Sequence, residues 1–340
     1  MDIVHIIPNL KNGGAENVLV NLAIQINNRG VNQCIFTLYG SNKDFYYPKV
    51  KGIVNVYQLE KDSNNLVQLL QKNNKSIVIC WMYKSIYFYQ KQRNKFKLQN
   101  KYYWNIRHSD FGPFQLRQKF FLALMGLYSN FSKCNLIYCS MKSKTTHENY
   151  FFKKNNSKVI PNRLAKATPD NFKKPFEKNY LLFIGRMHPQ KNPKFLKKIY
   201  ELINSRFPGF QLIILGRGWV REYFNSDSSK LVIYDQKENV FDYLKYASCL
   251  LFTSKFGEGY PNVIAEAMAV GTPIVGFDSG DYKIMTKNYK LAKTVSGDDE
   301  YINELEIILK TKPKISKIDH EKISKELNFD LTVNDYVKLV

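Results

Sequence analysis

Short apolar runs alternate with helical patterns along the whole chain. The first run, DIVHIIP, leads into a glycine-containing loop, and apolar side chains at helical spacing follow up to Gly30. The next run, CIFTLYG at residues 34–40, completes a strand–helix–strand unit. Such units build parallel sheets, so the fold is predicted to be α/β. Further strands are predicted over residues 76–83, 101–108, 135–140 and 158–162, and a helix over 113–131.

The pattern breaks and then restarts in the middle of the chain. Residues 161–179 hold three prolines among polar and basic side chains without periodicity, which is typical of a linker. After it, the runs YLLFIGR, FQLIILGRG, SCLLFTS and TPIVGFD are predicted strands with helices between them. Two doubly wound halves joined by a linker predict a ligand cleft between them, at the carboxyl ends of the strands.

Length and cysteine content exclude several classes of protein. A chain of 340 residues, 44% of them hydrophobic, can bury two cores. No apolar run approaches the ~18–20 residues of a membrane span, and residues 1–9 carry Asp2 and lack a basic leader, so neither an integral membrane protein nor a signal peptide is predicted. The five scattered cysteines indicate reduced core residues of a cytosolic protein and no zinc site.

Positive charge is concentrated in one part of the chain. Lys and Arg number 51 against 29 acids, a net charge of +22. Residues 84–163 hold 16 of those bases and two acids, so this segment alone carries +14 among many aromatics. Such a segment predicts a polyanionic partner, either nucleic acid or an anionic membrane surface. A general enrichment of Lys and Asn is the alternative explanation, and no helix-turn-helix, zinc-finger or RNP-like motif supports nucleic acid.

The strongest chemical motif is FTSKFGEGYPNVIAEAMAVGTPIV. Pro261 is predicted in the first turn of a helix that stops at Gly271, so the loop 257–260 leads into a helix N-terminus. Free backbone amides and the helix dipole make that end suitable for a phosphate. Glu258 and Glu266 flank the predicted phosphate site, where each carboxylate can accept a pair of hydroxyl groups, one from a sugar and one from a ribose.

Two further segments fit the chemistry of a departing nucleotide diphosphate. Arg186 at a predicted strand end and Lys191, five residues later, offer the positive charge that a metal supplies elsewhere. No Asp-x-Asp motif is visible, so metal independence is predicted. In the first loop, Gly13 and Gly14 let the backbone approach a bound ligand closely.

These segments resemble a known enzyme family. EGYPNVIAEAMAVGTPIV is similar to the Glu-x₇-Glu signature of the retaining GT-B nucleotide-sugar glycosyltransferases, glycosyltransferase family four. FIGRMHPQKN resembles the Gly-Arg…Lys element of that family, and PNLKNGGAENVLVNLA its glycine loop. The resemblance implies two Rossmann-like doubly wound domains facing across a cleft. The chain departs from the family pattern at Lys283, where a glutamate is usual.

The resemblance also implies roles and boundaries. It implies that Glu258 binds hydroxyls of the donor sugar, that Glu266 binds the ribose, and that His108 faces the donor sugar across the cleft. His147 and His188 are predicted to be surface residues without a role.

The expected organisation is an N-terminal acceptor-side domain over residues 1–163, a linker over 164–179, a nucleotide-sugar-binding domain over 180–322 and a C-terminal helix over 323–340 able to pack back on the first domain. Candidate catalytic residues are Arg186, Lys191, Glu258 and His108, and candidate substrate-binding residues are Gly13, Gly14, Glu266, Gly259, Tyr260 and Asn262.

The implied activity is transfer of a hexosyl or N-acetylhexosaminyl group with retention of configuration. The donor would be a UDP- or GDP-sugar, and the acceptor a hydroxyl of a glycan or polyprenyl-diphosphate-linked glycan of a surface polysaccharide (O-antigen, capsule or exopolysaccharide). No cofactor and no metal are expected. The predicted location is cytoplasmic and peripheral on the inner face of the plasma membrane. A nucleotide-sugar 2-epimerase or a phosphorylase of the same fold is the alternative, and a basic nucleic-acid-binding protein is a more distant one.

Overall fold

A computed structural model describes residues 1–109, 112, 115–165, 168–225, 229–235, 237 and 239–340. For residues 61–63 it describes the backbone only. The chain divides into two compact units. The N-terminal unit comprises Met1–Ala165 and Asn328–Val340, and the C-terminal unit comprises Lys166–Leu327. In the part of the chain described, no helix has the length and apolar character needed to cross a bilayer.

The N-terminal unit is built on a parallel sheet. Its strands are β1 Ile3–Ile7, β2 Gln33–Thr37, β3 Asn55–Gln58, β4 Ile77–Trp81, β5 Tyr102–Ile106, β6 Asn135–Tyr138 and β7 Ser157–Val159. The described strands pair in parallel in the order β3-β2-β1-β4-β5-β6-β7. Its first helices are α1 Gly14–Asn27, α2 Tyr47–Val50, α3 Leu59–Lys72, α4 Met82–Phe96, α5 Leu116–Phe131 and α6 Met141–Asn149.

The C-terminal unit repeats this architecture. Its strands are β8 Asn179–Ile184, β9 Phe210–Leu215, β10 Leu231–Tyr234, β11 Cys249–Phe252, β12 Ile274–Phe277 and β13 Ala292–Val295. They pair in parallel in the order β10-β9-β8-β11-β12-β13. Its helices are α7 Pro193–Arg206, α8 Val240–Tyr246, α9 Asn262–Val270, α10 Tyr282–Thr286, α11 Asp298–Thr311 and α12 Lys317–Glu326. The predicted pair of doubly wound Rossmann-like units is confirmed.

Helices cover both faces of the N-terminal sheet, which explains why its central strands are apolar throughout. Val4 and Ile6 of β1 join the core on one face, and Ile3 and Ile7 join the core on the other. The five cysteines are all free and buried.

The ends of some predicted elements differ in the structure. The strand predicted over 76–83 ends at Trp81, and α4 begins at Met82 with a positive φ of 65°. The single helix predicted over 323–340 is two helices, because α12 ends at Glu326 and α13 Phe329–Val337 starts anew. The Asn328 side chain accepts from the amide of Asp330 and so caps α13, which packs in the core of the N-terminal unit.

Two histidines are buried in the N-terminal unit. His5 accepts a hydrogen bond from Trp81 Nε1 at 3.2 Å, and burial lowers its pKa to about 4. The prediction that His147 is a surface residue is wrong: it is fully buried, and burial followed by the nearby His108 lowers its pKa to about 3. Its position on the inner face of α6 could not be recognised, because MKSKTTHEN shows almost no apolar periodicity.

We expect acid to destabilise this unit. Unfolding raises both histidine pKa values to about 6.5, so below that pH the unfolded state binds protons that the folded state does not. The contribution of these histidines to stability is therefore fully present above pH 6.5. It is lost as the pH falls towards their pKa values in the folded state. At pH 5 the loss is about 2 kcal/mol per histidine relative to pH 7. Denaturant unfolding at the two pH values measures it, and His147→Gln should remove about half of the difference; an equal difference in that variant contradicts the assignment.

Candidate functional site

The predicted catalytic residues of the C-terminal unit follow two neighbouring strands of its sheet. β8 and β11 are neighbours in the sheet but not in the sequence, so the strand order reverses between them. Arg186 lies two residues beyond the end of β8, and the loop carrying Glu258 follows β11. In doubly wound sheets, ligands bind outside the carboxyl ends of the strands at this reversal.

Lys191 and Glu258 form an ion pair in this region. Lys191 Nζ lies 2.6 Å from Glu258 Oε1, and the two side chains are only 17% and 12% exposed. Ser254 Oγ donates to the same carboxylate oxygen at 2.8 Å, and Thr253 Oγ1 donates to the carbonyl oxygen of Lys191 at 2.6 Å. These contacts connect the segments that follow β8 and β11. A cation and a carboxylate predicted to bind different parts of a donor thus lie in direct contact in this structure.

The loop before α9 depends on glycines. Gly257 has a φ of +78°, a conformation that residues with a Cβ rarely adopt. Gly280 also has a positive φ, and a Cβ there would overlap the carbonyl oxygens of Glu258 and Gly259. The Asp281 amide donates to Gly259 O at 2.9 Å. Residues 280–281 therefore hold the backbone that presents Glu258, a contact that sequence analysis missed.

Helix α9 begins one residue later than predicted. Pro261 is the N-cap with extended backbone, not a residue of the first turn, and Asn262 is the first helical residue. Gly271 ends the helix with a φ of +78°, as predicted. Glu266 lies four residues after Asn262 and therefore on the same face, about 6 Å along the axis. Glu266, Asn262 and Tyr260 are partly exposed, so their side chains can reach a ligand, whereas Gly259 is buried.

Cationic side chains gather around His188. Arg186 is exposed, and Trp219 Nε1 donates to the carbonyl oxygen of the preceding Gly185 at 2.8 Å. The pKa of His188 is lowered by partial burial and then by the positive charges of Arg186 and Lys191. The charges of both predicted diphosphate-binding cations thus act on the His188 imidazole. The prediction of a surface residue without a role overlooked this neighbourhood.

The N-terminal unit has its own cavity, of about 610 Å³. It opens at the carboxyl ends of β1 and β4, where the strand order of this sheet reverses. Its lining residues are Pro8, Asn9, Glu16, Met82, Tyr83, Lys84, Arg117, Gln118 and Phe121.

The predicted glycine loop leads to this cavity. Gly13 is the N-cap of α1 and Gly14 its first residue. A Cβ on Gly13 would overlap the carboxylate of Glu16, so the glycine leaves room for that side chain. Burial raises the pKa of Glu16, while the charge of Arg107 acts against the rise. Glu16, which sequence analysis did not select, lies in the first turn of α1 and lines the cavity.

His108 belongs to an aromatic cluster beside the same cavity. Its ring centroid lies 5.1 Å from that of Tyr83, and the Tyr83 hydroxyl hydrogen-bonds to His147 Nε2. His147 Nδ1 lies 2.7 Å from the carbonyl oxygen of Ser143. A carbonyl only accepts, so Nδ1 carries the proton and Nε2 accepts from Tyr83. Tyr83 thus contacts both histidines and also lines the cavity.

The C-terminal part of the chain is similar in sequence to a known family. Residues 166–325 match the family model described as Glycosyl transferases group 1. An uncharacterised glycosyltransferase of Methanocaldococcus jannaschii is 28% identical over 160 residues, which cover 42% of this chain and 39% of that protein. An uncharacterised glycosyltransferase of Haemophilus influenzae is 24% identical over 324 residues, 89% of this chain and 90% of its own length. The chain thus spans well under half of the first relative and nearly all of the second.

Comparison with solved structures identifies the fold. HepE of Anabaena in complex with UDP has a TM-score of 0.76 at 15% identity, covering 100% of this chain and 99% of that one. The lipopolysaccharide outer core galactosyltransferase WaaB has a TM-score of 0.70 at 19% identity, covering 99% and 98%. The chain has the GT-B fold, and the family match together with the relatives supports a glycosyltransferase.

Proposed function

We propose that this protein is a retaining glycosyltransferase of family four that uses a UDP- or GDP-sugar. The observation that carries the proposal is the Lys191–Glu258 pair at the strand-order reversal of the C-terminal sheet, directly before the N-terminus of α9. A diphosphate there meets the positive end of the helix dipole. The UDP bound to HepE supports a nucleotide donor.

The proposed chemistry rests on charge and position. The bond between the anomeric carbon and the diphosphate oxygen breaks, and negative charge grows on the leaving phosphate. Arg186 and Lys191 stabilise that charge, while Glu258 orients the hydroxyls of the sugar. The acceptor oxygen bonds to the anomeric carbon from the same face, and the leaving phosphate takes the acceptor proton. Configuration is thereby retained without a protein nucleophile.

The proposed acceptor is a glycan or polyprenyl-diphosphate-linked glycan of a surface polysaccharide. The N-terminal cavity, with Lys84 and Arg117 beside Glu16, offers both charged and hydrogen-bonding groups to such a molecule. The name of WaaB, a lipopolysaccharide galactosyltransferase, supports this class of acceptor. The +14 segment supports a cytoplasmic enzyme bound peripherally to the inner leaflet.

A donor screen in the presence of excess EDTA tests the proposal. We expect release of free nucleoside diphosphate from a UDP- or GDP-sugar, and we expect EDTA to leave the rate unchanged because Arg186 and Lys191 supply the positive charge. Loss of activity that Mg²⁺ or Mn²⁺ restores would contradict metal independence. Interconversion of the donor without transfer would indicate an epimerase, and phosphate-dependent release of a sugar phosphate from a glycan would indicate a phosphorylase.

A further inference from the structure

Helix α5 carries a stripe of large apolar side chains that face solvent. Its members are between 47% and 87% exposed: Leu116, Phe120, Leu124, Leu127 and Phe131. At about 100° per residue these five positions fall within an arc of about 80° on the helix surface. Monomeric proteins seldom leave such a continuous apolar surface uncovered.

The same helix has a separate face that packs inside the N-terminal unit. Its buried residues are Leu122, Met125, Gly126 and Ser129, on the side opposite to the stripe. A Cβ on Gly126 would overlap the carbonyl oxygen of Tyr150, so the helix backbone lies directly against the segment after α6. Rotation of α5 cannot bury the stripe without breaking this close approach. The stripe is therefore a permanent outer surface of the unit.

Charge decides which partner fits the stripe. It lies within the segment 84–163, whose net charge is +14, and α5 itself contains Arg117 and Lys119 but no acid. Lys133, just beyond the end of the helix, is exposed. A second copy docked face to face would bring two strongly positive segments together. An anionic bilayer satisfies both features, because lipid tails cover the apolar side chains and headgroups pair with the bases.

We propose that α5 lies in the plane of an anionic lipid bilayer and inserts this stripe below the headgroups. The inference deepens the proposed function, on which its link to a lipid-linked acceptor rests. Arg117, Gln118 and Phe121 of the same helix line the N-terminal cavity. Insertion of α5 therefore brings the cavity to the lipid surface, where the head of a lipid-linked acceptor can enter it while its tail stays in the bilayer.

A tryptophan placed in the stripe reports insertion directly. The native residues Trp81, Trp104 and Trp219 are buried, so their emission changes little on binding. Phe131→Trp should shift its emission to the blue with vesicles of phosphatidylglycerol and phosphatidylcholine and should be quenched by brominated acyl chains. Phosphatidylcholine alone should produce a weaker shift. Unchanged emission with the anionic vesicles overturns the proposal.

Vesicle sedimentation with a matched control tests the stripe as a whole. The variant Phe120→Ser/Leu124→Ser/Phe131→Ser avoids the residues that line the cavity and should bind anionic vesicles at least about tenfold more weakly. Three exposed isoleucines of the C-terminal unit provide the control Ile284→Ser/Ile307→Ser/Ile318→Ser, which should bind like the unchanged protein. Equal binding by both triple variants overturns insertion.

Two further measurements separate this inference from its alternatives. If sedimentation velocity shows a dimer that the stripe variant converts into a monomer, a second copy occupies the stripe and the lipid proposal is overturned. Release of nucleotide from the donor in solution does not require a bilayer. Vesicle binding through the stripe without turnover of any donor therefore refutes the proposed function and leaves lipid insertion standing.

Discussion

Arg186→Ala is expected to lower kcat about 10²–10³-fold while the midpoint of thermal unfolding stays unchanged. Arg186 is exposed just beyond β8, so its removal leaves no cavity in the core. In the proposed mechanism its positive charge stabilises the phosphate on which negative charge grows in the transition state, so the loss should fall mainly on kcat. Glu266→Ala should cause a loss of similar size in kcat/KM, since hydroxyl bonds to the donor are removed.

Matched substitutions on the same unit serve as controls. Arg206 is 62% exposed on α7, and Glu321 is exposed on α12. Alanine at either position should leave nucleotide release within a factor of about two, because neither residue lies near the strand-order reversal. Wild-type kinetics in Arg186→Ala or Glu266→Ala, with unchanged stability, would show that the residue concerned is not part of the site.

Central strands were predictable, whereas three of the four edge strands of the two described sheets were not. β1, β4 and β8 are buried on both faces and appear in the sequence as largely apolar runs, which His5 interrupts in β1. The missed strands β3, β10 and β13 lie at sheet edges, have four residues each and are mostly only partly buried. Segments as short as AKTV of β13 or NVYQ of β3 have too few core-facing positions to show an alternation of apolar and polar residues. Such strands form because a neighbouring strand supplies hydrogen-bond partners.

Local motifs in the site were predictable, and contacts across the fold were not. The stretch from Gly257 to Gly271 is continuous in sequence, so its loop and helix follow from turn and capping preferences. Lys191 and Glu258 are 67 residues apart, and Tyr83 and His147 are 64 apart. No periodicity links such positions, because the sheet topology brings them together. The outer stripe of α5 was also hidden, since a helix that is apolar on two faces resembles a buried one.

Lys191→Met is expected to lower both turnover and stability, and a double-mutant cycle separates the two effects. The substitution leaves the Glu258 carboxylate, which is only 12% exposed, without its cation. Removing one partner of a largely buried pair should lower the free energy of unfolding by about 1–3 kcal/mol, or about 2–4 °C per kcal/mol in the melting temperature. Turnover should fall about 10²–10³-fold, because the leaving phosphate loses a positive charge.

The double variant Lys191→Met/Glu258→Gln should recover most of the stability and none of the turnover. Neutralising Glu258 removes the uncompensated charge. The donor still lacks both the cation for its diphosphate and the carboxylate that accepts hydrogen bonds from its hydroxyls. The pair Arg206–Glu306, at 3.0 Å and with its arginine 62% exposed, is the control, and its cycle should give a coupling energy below about 1 kcal/mol and unchanged kinetics. Recovery of turnover together with stability in the double variant would mean that Lys191 only compensates the charge of Glu258. The positive charge at the leaving phosphate would then have to come from Arg186 and the N-terminus of α9 alone.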